Sequence, residues 1–249
     1  MVHHPVKTTA RHPRWVKGSH WIITASFLIL AFTGFVILMS HPRLYWGNAG
    51  NDLTPALFEL PISRNFQHGG WEKSIPFFAD KASPVSASRT YDIFNQNGWG
   101  RSLHFLSAWF LVITGVAYLM AGLFSGHFRR NIIPGSGEYS IRKMGADLFA
   151  HFKKLIPSQD GFSRYGLLQK WTYTIVVFIL FPLVAMTGLT MSPSITAAYP
   201  FLLKIFFGAQ SARTIHFFAS IGLELFLAVH VAMVIRTGFK QQMRSMTWG

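Results

Sequence analysis

The sequence contains no cysteine in its 249 residues. Disulfide bonds, thiolate-held iron–sulfur clusters and heme attached covalently through a CxxCH motif are therefore all excluded. Charge is also scarce, because only 13% of the residues are charged, whereas soluble domains average about 25%. Hydrophobic residues make up 50% of the chain, and 24 positions are Phe. This composition indicates a protein embedded in lipid, and any redox cofactor has to be bound non-covalently.

Acidic residues are few: 9 Asp and Glu stand against 23 Lys and Arg, and the formal net charge is +14. Such a charge is also typical of nucleic-acid-binding proteins. Here, however, the basic residues concentrate in alternate connections between apolar runs, which is a signature of membrane topology. We therefore expect attraction to anionic lipid and no nucleic-acid partner.

Four apolar windows are long enough to cross a bilayer, which takes roughly 20 residues of helix. They are Trp21 to Met39, Leu103 to Phe124, Trp171 to Met191 and Thr214 to Ile235. Pro182 in the third window is expected to kink that helix or to remove one backbone hydrogen bond. We predict an all-α integral membrane protein, a four-helix bundle that forms a single domain over residues 1–249.

Two long connections and one short apolar stretch lie outside these windows. The connection 40–102 is rich in Pro, Gly, Asn and aromatic residues and is expected to form an ordered cap. The connection 125–170 has apolar residues at helical spacing between Ile141 and Leu155, which predicts an amphipathic helix at the membrane surface, with an ordinary soluble surface helix as the alternative. The stretch Ile195 to Gly208 is interrupted by Pro200, is too short to span, and is expected to lie at the membrane surface.

The distribution of Lys and Arg predicts the orientation. The segment before the first window, the 125–170 connection and the C-terminal tail together carry 15 basic residues and three acids. The opposite side carries eight basic and five acidic residues over longer segments. By the positive-inside rule, both termini should be cytoplasmic, so that the 40–102 connection faces outward.

Four of the 11 histidines belong to the predicted spans: His20, His104, His216 and His230. Imidazole is a common axial ligand of heme iron, and ionisable residues inside a membrane are costly and usually functional. His216 and His230 are 14 residues apart, which places them on nearly one helix face and about 21 Å apart along the axis. In depth, His104 matches His216 near the outer surface, and His20 matches His230 near the inner surface. We therefore predict two b hemes stacked across the membrane, each held by two histidines from different helices.

The remaining histidines are expected to be structural or solvated. His3, His4 and His12 belong to the N-terminal tail, and His41, His68, His127 and His151 lie in connections or at helix margins. His12 is the one competitor for the role of His20, but it precedes Pro13 and the first span. For any single membrane histidine, a hydrogen bond between helices is the alternative to ligation.

Two glycines support the predicted heme positions. Gly34 follows His20 by 14 residues and Gly115 follows His104 by 11, so each lies on the same helix face as the preceding histidine. A flat porphyrin can approach a helix most closely where there is no side chain. Gly34 is expected near the outer heme and Gly115 near the inner heme, with ordinary packing of small residues as the alternative.

Charged residues near the histidines are candidates for contact with heme propionates. Arg101 and Arg213 each precede a histidine by three residues on the outer side. Lys17 and Arg236 hold comparable positions on the inner side, and common flanking anchors of transmembrane helices are the alternative for all four. Glu224 is the one charged residue inside a window. It flanks the heme face of its helix, where we expect it to be neutral and hydrogen-bonded, with a proton relay as the alternative.

These residues resemble a known family. His20-Trp21 opens the first span and Thr33-Gly34 closes it, while Arg101-x-x-His104 and Arg213-x-x-His216 open the second and fourth. The pattern, which covers all four spans, is similar to the di-heme cytochrome b subunit of respiratory formate dehydrogenases, nickel–iron hydrogenases and thiosulfate-reductase-type complexes. The long connections depart from that family and leave the identity of the partner open.

The resemblance implies a function and a location. The chain is expected to anchor a catalytic oxidoreductase subunit on the outer face of the bacterial inner membrane, together with an iron–sulfur or other electron-transfer subunit. It is expected to pass electrons between that partner and membrane quinone, near the inner heme. The alternatives are a stand-alone membrane cytochrome b that uses a small donor such as superoxide, and a heme-free anchor or transporter.

Overall fold

The computed structural model describes residues 12–51, 54–62, 97–134 and 167–247. The predicted amphipathic helix between Ile141 and Leu155 and most of the 40–102 connection lie outside these ranges. The described elements are, in chain order, α1 (Arg14–Ser40), β1 (Arg43–Leu44), β2 (Phe58–Glu59), α2 (Asn97–Phe124), α3 (His127–Asn131), α4 (Leu167–Ile175), a π-helical turn (Val176–Leu180), α5 (Phe181–Thr190), α6 (Pro193–Ala198), α7 (Phe201–Ile205), α8 (Ala209–Arg236) and α9 (Phe239–Met246).

Within the described residues, four stretches of helix are long and apolar enough to cross a membrane, as many as the sequence predicts. They are Arg14–Ser40, Gly98–Phe124, Gln169–Thr190 and Ala209–Arg236. Each begins before the corresponding apolar window, because polar and charged residues continue the helix beyond the hydrocarbon layer. The four histidines therefore lie well inside their helices instead of at the helix ends.

The exposed faces of these helices are apolar. Phe32 is 50% exposed, and Ile113 and Leu225 are each 64% exposed. In lipid such side chains need no protein partner, and helices associate through small or hydroxyl residues that allow close approach. Buried Thr33, Thr187 and other small polar side chains fit that pattern.

The third span carries the irregularity that Pro182 predicts. The π-helical turn Val176–Leu180 directly precedes α5, and Pro182 lies in the first turn of α5. Proline has no N–H to donate and clashes with the carbonyl one turn earlier, so the helix widens before it and continues afterwards.

The chain divides into two compact units, and the spanning helices contribute to both. The His20 unit contains the described residues of Met1–Thr24, Ile113–Tyr173 and Leu225–Gly249. The His104 unit contains those of Ala25–Val112 and Thr174–Glu224.

In the His104 unit, the segment after α1 is fastened to the start of α8. β1 pairs with β2 in antiparallel register, with Leu44 opposite Phe58. The Thr214 hydroxyl donates to the Tyr45 carbonyl at 2.7 Å, and the Gly47 N–H donates to the Ser211 hydroxyl at 2.6 Å. These bonds satisfy backbone groups that apolar surroundings would otherwise leave unpaired, and they place the first turns of α8.

In the His20 unit, α3 packs back against the end of α2. The Phe128 ring occupies the space beside Gly122, where any side chain would collide with it. Trp15 of α1 contacts both Tyr118 and His127, with ring centroids 5.5 and 5.2 Å away. The C-terminal α9 returns to α1 through Trp21, whose indole N–H donates to the Met246 carbonyl at 2.9 Å.

Candidate heme sites

The structure brings the four span histidines together as two pairs. His104 of α2 and His216 of α8 have ring centroids 6.3 Å apart, and His20 of α1 and His230 of α8 have centroids 6.4 Å apart. Metal–imidazole bonds are about 2 Å long and the centre of the ring lies about 1 Å behind its nitrogen, so two imidazoles on opposite sides of one iron have centroids about 6 Å apart. Each pair is thus spaced for a single metal ion between its rings.

These are the pairs that depth along the helices predicts, and the other described histidines lie elsewhere. His41 contacts Tyr45, with ring centroids 6.2 Å apart. His127 is buried against Trp15, and its Nδ1 lies 3.2 Å from Asn131 Nδ2. Among the described residues, no group of three or more His, Cys, Asp or Glu could hold a metal ion. Two ligands suffice for a heme iron, because the porphyrin supplies the other four.

Each histidine of the His104–His216 pair is held by a threonine from a neighbouring helix. The Thr33 hydroxyl lies 2.9 Å from His104 Nδ1, and the Thr187 hydroxyl lies 3.1 Å from His216 Nδ1. Both threonines are fully buried. The Nδ1 atoms of this pair are thereby engaged, which leaves Nε2 of each ring as the nitrogen available to iron.

A glycine follows each of these threonines and lies close to the imidazole. A Cβ on Gly34 would lie 3.5 Å from His104 Cε1, and a Cβ on Gly188 would lie 3.4 Å from His216 Cε1. Gly34 thus lies beside the His104–His216 pair, as its spacing in the sequence predicts, and its neighbour is the imidazole of His104.

The same arrangement occurs twice in the chain. Thr33-Gly34 faces Arg101-Ser-Leu-His104, and Thr187-Gly188 faces Arg213-Thr-Ile-His216. Sequence reasoning missed Thr33 as a contact of the histidine, and it missed Thr187 and Gly188 altogether. The repeated Thr-Gly dipeptide and the repeated Arg-x-x-His motif were the available signal.

The His20–His230 pair has a different, aromatic environment. His230 stacks on Phe226 with centroids 5.6 Å apart, and the Tyr173 ring lies 6.5 Å away. His20 contacts the Trp21 ring at 5.2 Å. Within the described part of the chain, His20 Nδ1 is buried without a hydrogen-bond partner.

Gly115 belongs to the His20 unit and borders open space. A Cβ placed on Gly115 would meet nothing within 4 Å. This is the room that a porphyrin edge would need beside α2.

The four basic residues predicted near the propionates occupy different environments. Lys17 lines an open pocket of about 270 Å³ together with Trp21, Met246 and Thr247. Arg101 and Arg236 are exposed. Arg213 donates from Nη2 to the His41 carbonyl at 2.6 Å, a structural contact that the sequence did not predict.

Glu224 lies near the middle of α8, and its side chain is exposed. A mid-membrane carboxyl group on an exposed helix face is costly unless it is neutral or covered by another group.

Comparison with known proteins gives the family. Residues 11–249 match the model described as prokaryotic cytochrome b561. A relative from Azospira oryzae, named a putative protein-methionine-sulfoxide reductase subunit, YedZ1, is 27% identical over 225 residues, covering 90% of each chain. No solved structure matches the chain significantly.

These findings confirm the resemblance to the cytochrome b subunits of oxidoreductase complexes. The family name implies a b-type heme, and its members typically act with a catalytic subunit. With its four apolar helices, the chain is a multi-pass bacterial membrane protein. Because the family model matches nearly the whole chain, the protein belongs to the prokaryotic cytochrome b561 family.

Proposed function

We propose that the protein is the electron-transfer subunit of a membrane oxidoreductase, and that it connects membrane quinone to a catalytic partner through two bis-histidine b hemes. The observation that carries this proposal is the spacing of the two histidine pairs, 6.3 and 6.4 Å between ring centroids. A bound heme supplies a reversible one-electron couple between ferric and ferrous iron.

The residues of the chain provide ligands, orientation and a dry environment. α8 supplies one ligand to each site, His216 and His230, while α2 and α1 supply His104 and His20. Since each site needs two helices, heme binding should stabilise the packing of the spans as well as the cofactor. The apolar helices exclude water, and Thr33 and Thr187 orient one pair of imidazoles.

The basic residues are candidates for holding the propionates. Arg101 and Lys17 each stand three residues before a ligand, on the same helix. Arg213 already donates to the His41 carbonyl, but a guanidinium carries five N–H donors. It can therefore fasten the segment after α1 and still bind a carboxylate.

We place the partner on the outer face, at the end of the helices that carries the His104–His216 pair. The YedZ1 relative is named as a subunit of a protein-methionine-sulfoxide reductase, which supports a catalytic partner over a cytochrome that acts alone. An enzyme that reduces oxidised methionine is accordingly one candidate partner, and electrons would then flow outward from quinol. A superoxide-dependent cytochrome and a heme-free anchor remain the alternatives, and the paired histidines argue against the heme-free anchor.

We place quinone exchange in the His20 unit. The quinone head group needs hydrogen-bonding groups close to a heme edge and an opening toward lipid. Two features near His20 and His230 provide such groups. One is the pocket lined by Lys17, Trp21, Met246 and Thr247. The other is the hydrogen bond from Gln169 Nε2 to the Tyr173 hydroxyl, at 3.1 Å. A site near Arg101 and Trp99 is the alternative on the opposite side.

Single substitutions of the four histidines test this function. Purified wild-type protein should contain two b hemes per chain, measured as the pyridine hemochrome. His104→Ala and His216→Ala should each deplete one heme, and His20→Ala and His230→Ala should deplete the other, because each site would lose one of the two histidines that would hold its heme. His12→Ala and His41→Ala are matched controls and should retain both hemes.

Redox-resolved spectra identify which heme is lost, and quinol oxidation adds a functional readout. A quinone analogue such as a hydroxyquinoline N-oxide should shift the spectrum of the heme that depends on His20 and His230. One heme or none in the wild type would refute the two-site proposal. Loss of the same heme in His104→Ala and His230→Ala would refute the pairing, and an inhibitor shift confined to the other heme would refute the quinone location.

A further inference from the structure

The two threonines beside the His104–His216 pair are arranged so that they can only accept a hydrogen bond from the imidazoles. The Thr33 hydroxyl donates to the Ile29 carbonyl at 2.7 Å, and the Thr187 hydroxyl donates to the Leu183 carbonyl at 2.7 Å. A hydroxyl has one proton to donate. With that proton directed to its own helix, each oxygen has only lone pairs to offer to the histidine.

This arrangement determines the tautomer of both histidines. With the hydroxyl protons so directed, His104 Nδ1 at 2.9 Å and His216 Nδ1 at 3.1 Å are the donors to these oxygens. The backbone carbonyls of Leu30 and Val184, which can only accept, lie beside the same two rings and favour the same tautomer. In a neutral imidazole the other nitrogen, Nε2, then has its lone pair free for a metal. Buried threonines at both positions, each followed by a glycine close to the ring, restrict the rotation of the two imidazoles.

Among the described residues, the His20–His230 pair has no equivalent of these two threonines. His20 Nδ1 is buried with no hydrogen-bond partner there. Thr24 lies one turn from His20, but its hydroxyl donates to the His20 carbonyl at 2.8 Å and not to the ring.

We propose that Thr33 and Thr187 are positioning residues that set the reduction potential of the heme held by His104 and His216, by accepting the Nδ1–H bonds of both ligands. The inference rests on the proposed heme ligation. A hydrogen bond from Nδ1–H makes the imidazole a stronger electron donor to the metal. A stronger donor favours ferric over ferrous iron, so the two threonines lower the midpoint potential of this heme.

The test replaces each threonine by valine, which has nearly the same shape and no hydroxyl. Thr33→Val and Thr187→Val should each shift the ferric–ferrous equilibrium of one heme toward ferrous by about tenfold, which is about 59 mV upward for one electron. The measurement is a redox titration of the purified protein followed optically, with EPR of the ferric low-spin signals. The potential of the other heme should not change.

Two kinds of control separate positioning from packing. Thr33→Ser and Thr187→Ser keep the hydroxyl and should retain the wild-type potential. Thr190→Val is the matched control on α5, because Thr190 is also buried and donates to the carbonyl of Met186 at 2.8 Å, and it makes no hydrogen bond to an imidazole of the described residues. It should leave both potentials unchanged. If a valine variant loses its heme, the proposal is supported when the serine variant and Thr190→Val both keep it.

Unchanged potentials and EPR signals in both valine variants would overturn the inference, and so would equal shifts in valine and serine variants. Loss of heme in both the valine and serine variants would overturn it as well, because packing would then be the cause. Failure of the ligation proposal has a different signature, since His104→Ala would then keep both hemes whatever the threonine variants show.

Discussion

At the scale of single residues, the most informative positions are those where a side chain is absent. Gly34 and Gly188 lie against imidazoles, whereas Gly115 borders open space in the His20 unit. The sequence placed Gly34 and Gly115 on the faces of their helices that carry the histidines, because the helical period relates them. It did not predict that the neighbour of Gly34 would be a histidine ring from α2.

Gly115→Leu is expected to fill the space beside α2 and to compete with the porphyrin there. Occupancy of the heme that depends on His20 and His230 should fall, while the other heme is retained, as measured by redox-resolved spectra and heme content per chain. Gly18→Leu is the control, since Gly18 also has nothing within 4 Å but is exposed on α1. Full occupancy of both hemes in Gly115→Leu would show that no porphyrin edge lies there.

At the scale of elements, the turn between α7 and α8 determines how the ligand-bearing α8 begins. Phe207 and Gly208 both have positive φ, +58° and +113°. A side chain at Gly208 would collide with the Gly47 carbonyl, so the segment after α1 can approach only because Gly208 lacks one. The sequence marked Ile195 to Gly208 as a non-spanning stretch, and α6 and α7 occupy most of it.

Gly208→Ala should therefore destabilise the His104 unit by about 1–3 kcal/mol, the usual cost of a strained backbone position, with an added cost from displacing Gly47. Thermal unfolding in detergent, followed by the Soret band, should show a lower midpoint for this variant. Gly98→Ala serves as the control, because Gly98 lies in the first turn of α2 with nothing within 4 Å. Equal midpoints for the two variants would contradict this role of Gly208.

At the scale of the whole molecule, the four spans among the described residues predict that the segments before α1 and after α8 lie on the same side of the membrane. The 15 basic residues of the terminal segments and the 125–170 connection, against eight on the other side, predict that this side is cytoplasmic. Such an orientation would direct the His20–His230 pair inward, so that quinone chemistry there would exchange protons with the cytoplasm: uptake on quinone reduction and release on quinol oxidation. Each charge moved across the membrane is worth about 2.3 kcal/mol per 100 mV.

Reporter fusions test this orientation in intact cells. A C-terminal fluorescent protein should fold and fluoresce, and a C-terminal alkaline phosphatase should be inactive, because the predicted orientation keeps the tail with Lys240 and Arg244 in the cytoplasm. Alkaline phosphatase inserted after Gly50, in the 40–102 connection, should be active. The reverse pattern of activities would overturn the assignment.

Much of the architecture followed from the sequence by itself. Runs of about 20 apolar residues can satisfy their backbone groups in lipid only as helices, so the four spans could be read directly. The 3.6-residue period placed His216 and His230 on one face of α8, and matching depths selected His104 and His20 as the facing histidines. These are consequences of geometry within one helix and of a common membrane thickness.

The tertiary structure alone decided which side chains meet across helices. Thr33 and Thr187 look like ordinary buried threonines in the sequence, because nothing within their own helices shows that an imidazole will pack against them. Arg213 likewise donates a hydrogen bond to the His41 carbonyl, 172 residues away along the chain. Helical periodicity gives the direction of a side chain, but the rotation and axial shift of one helix against another depend on packing, which no single helix contains.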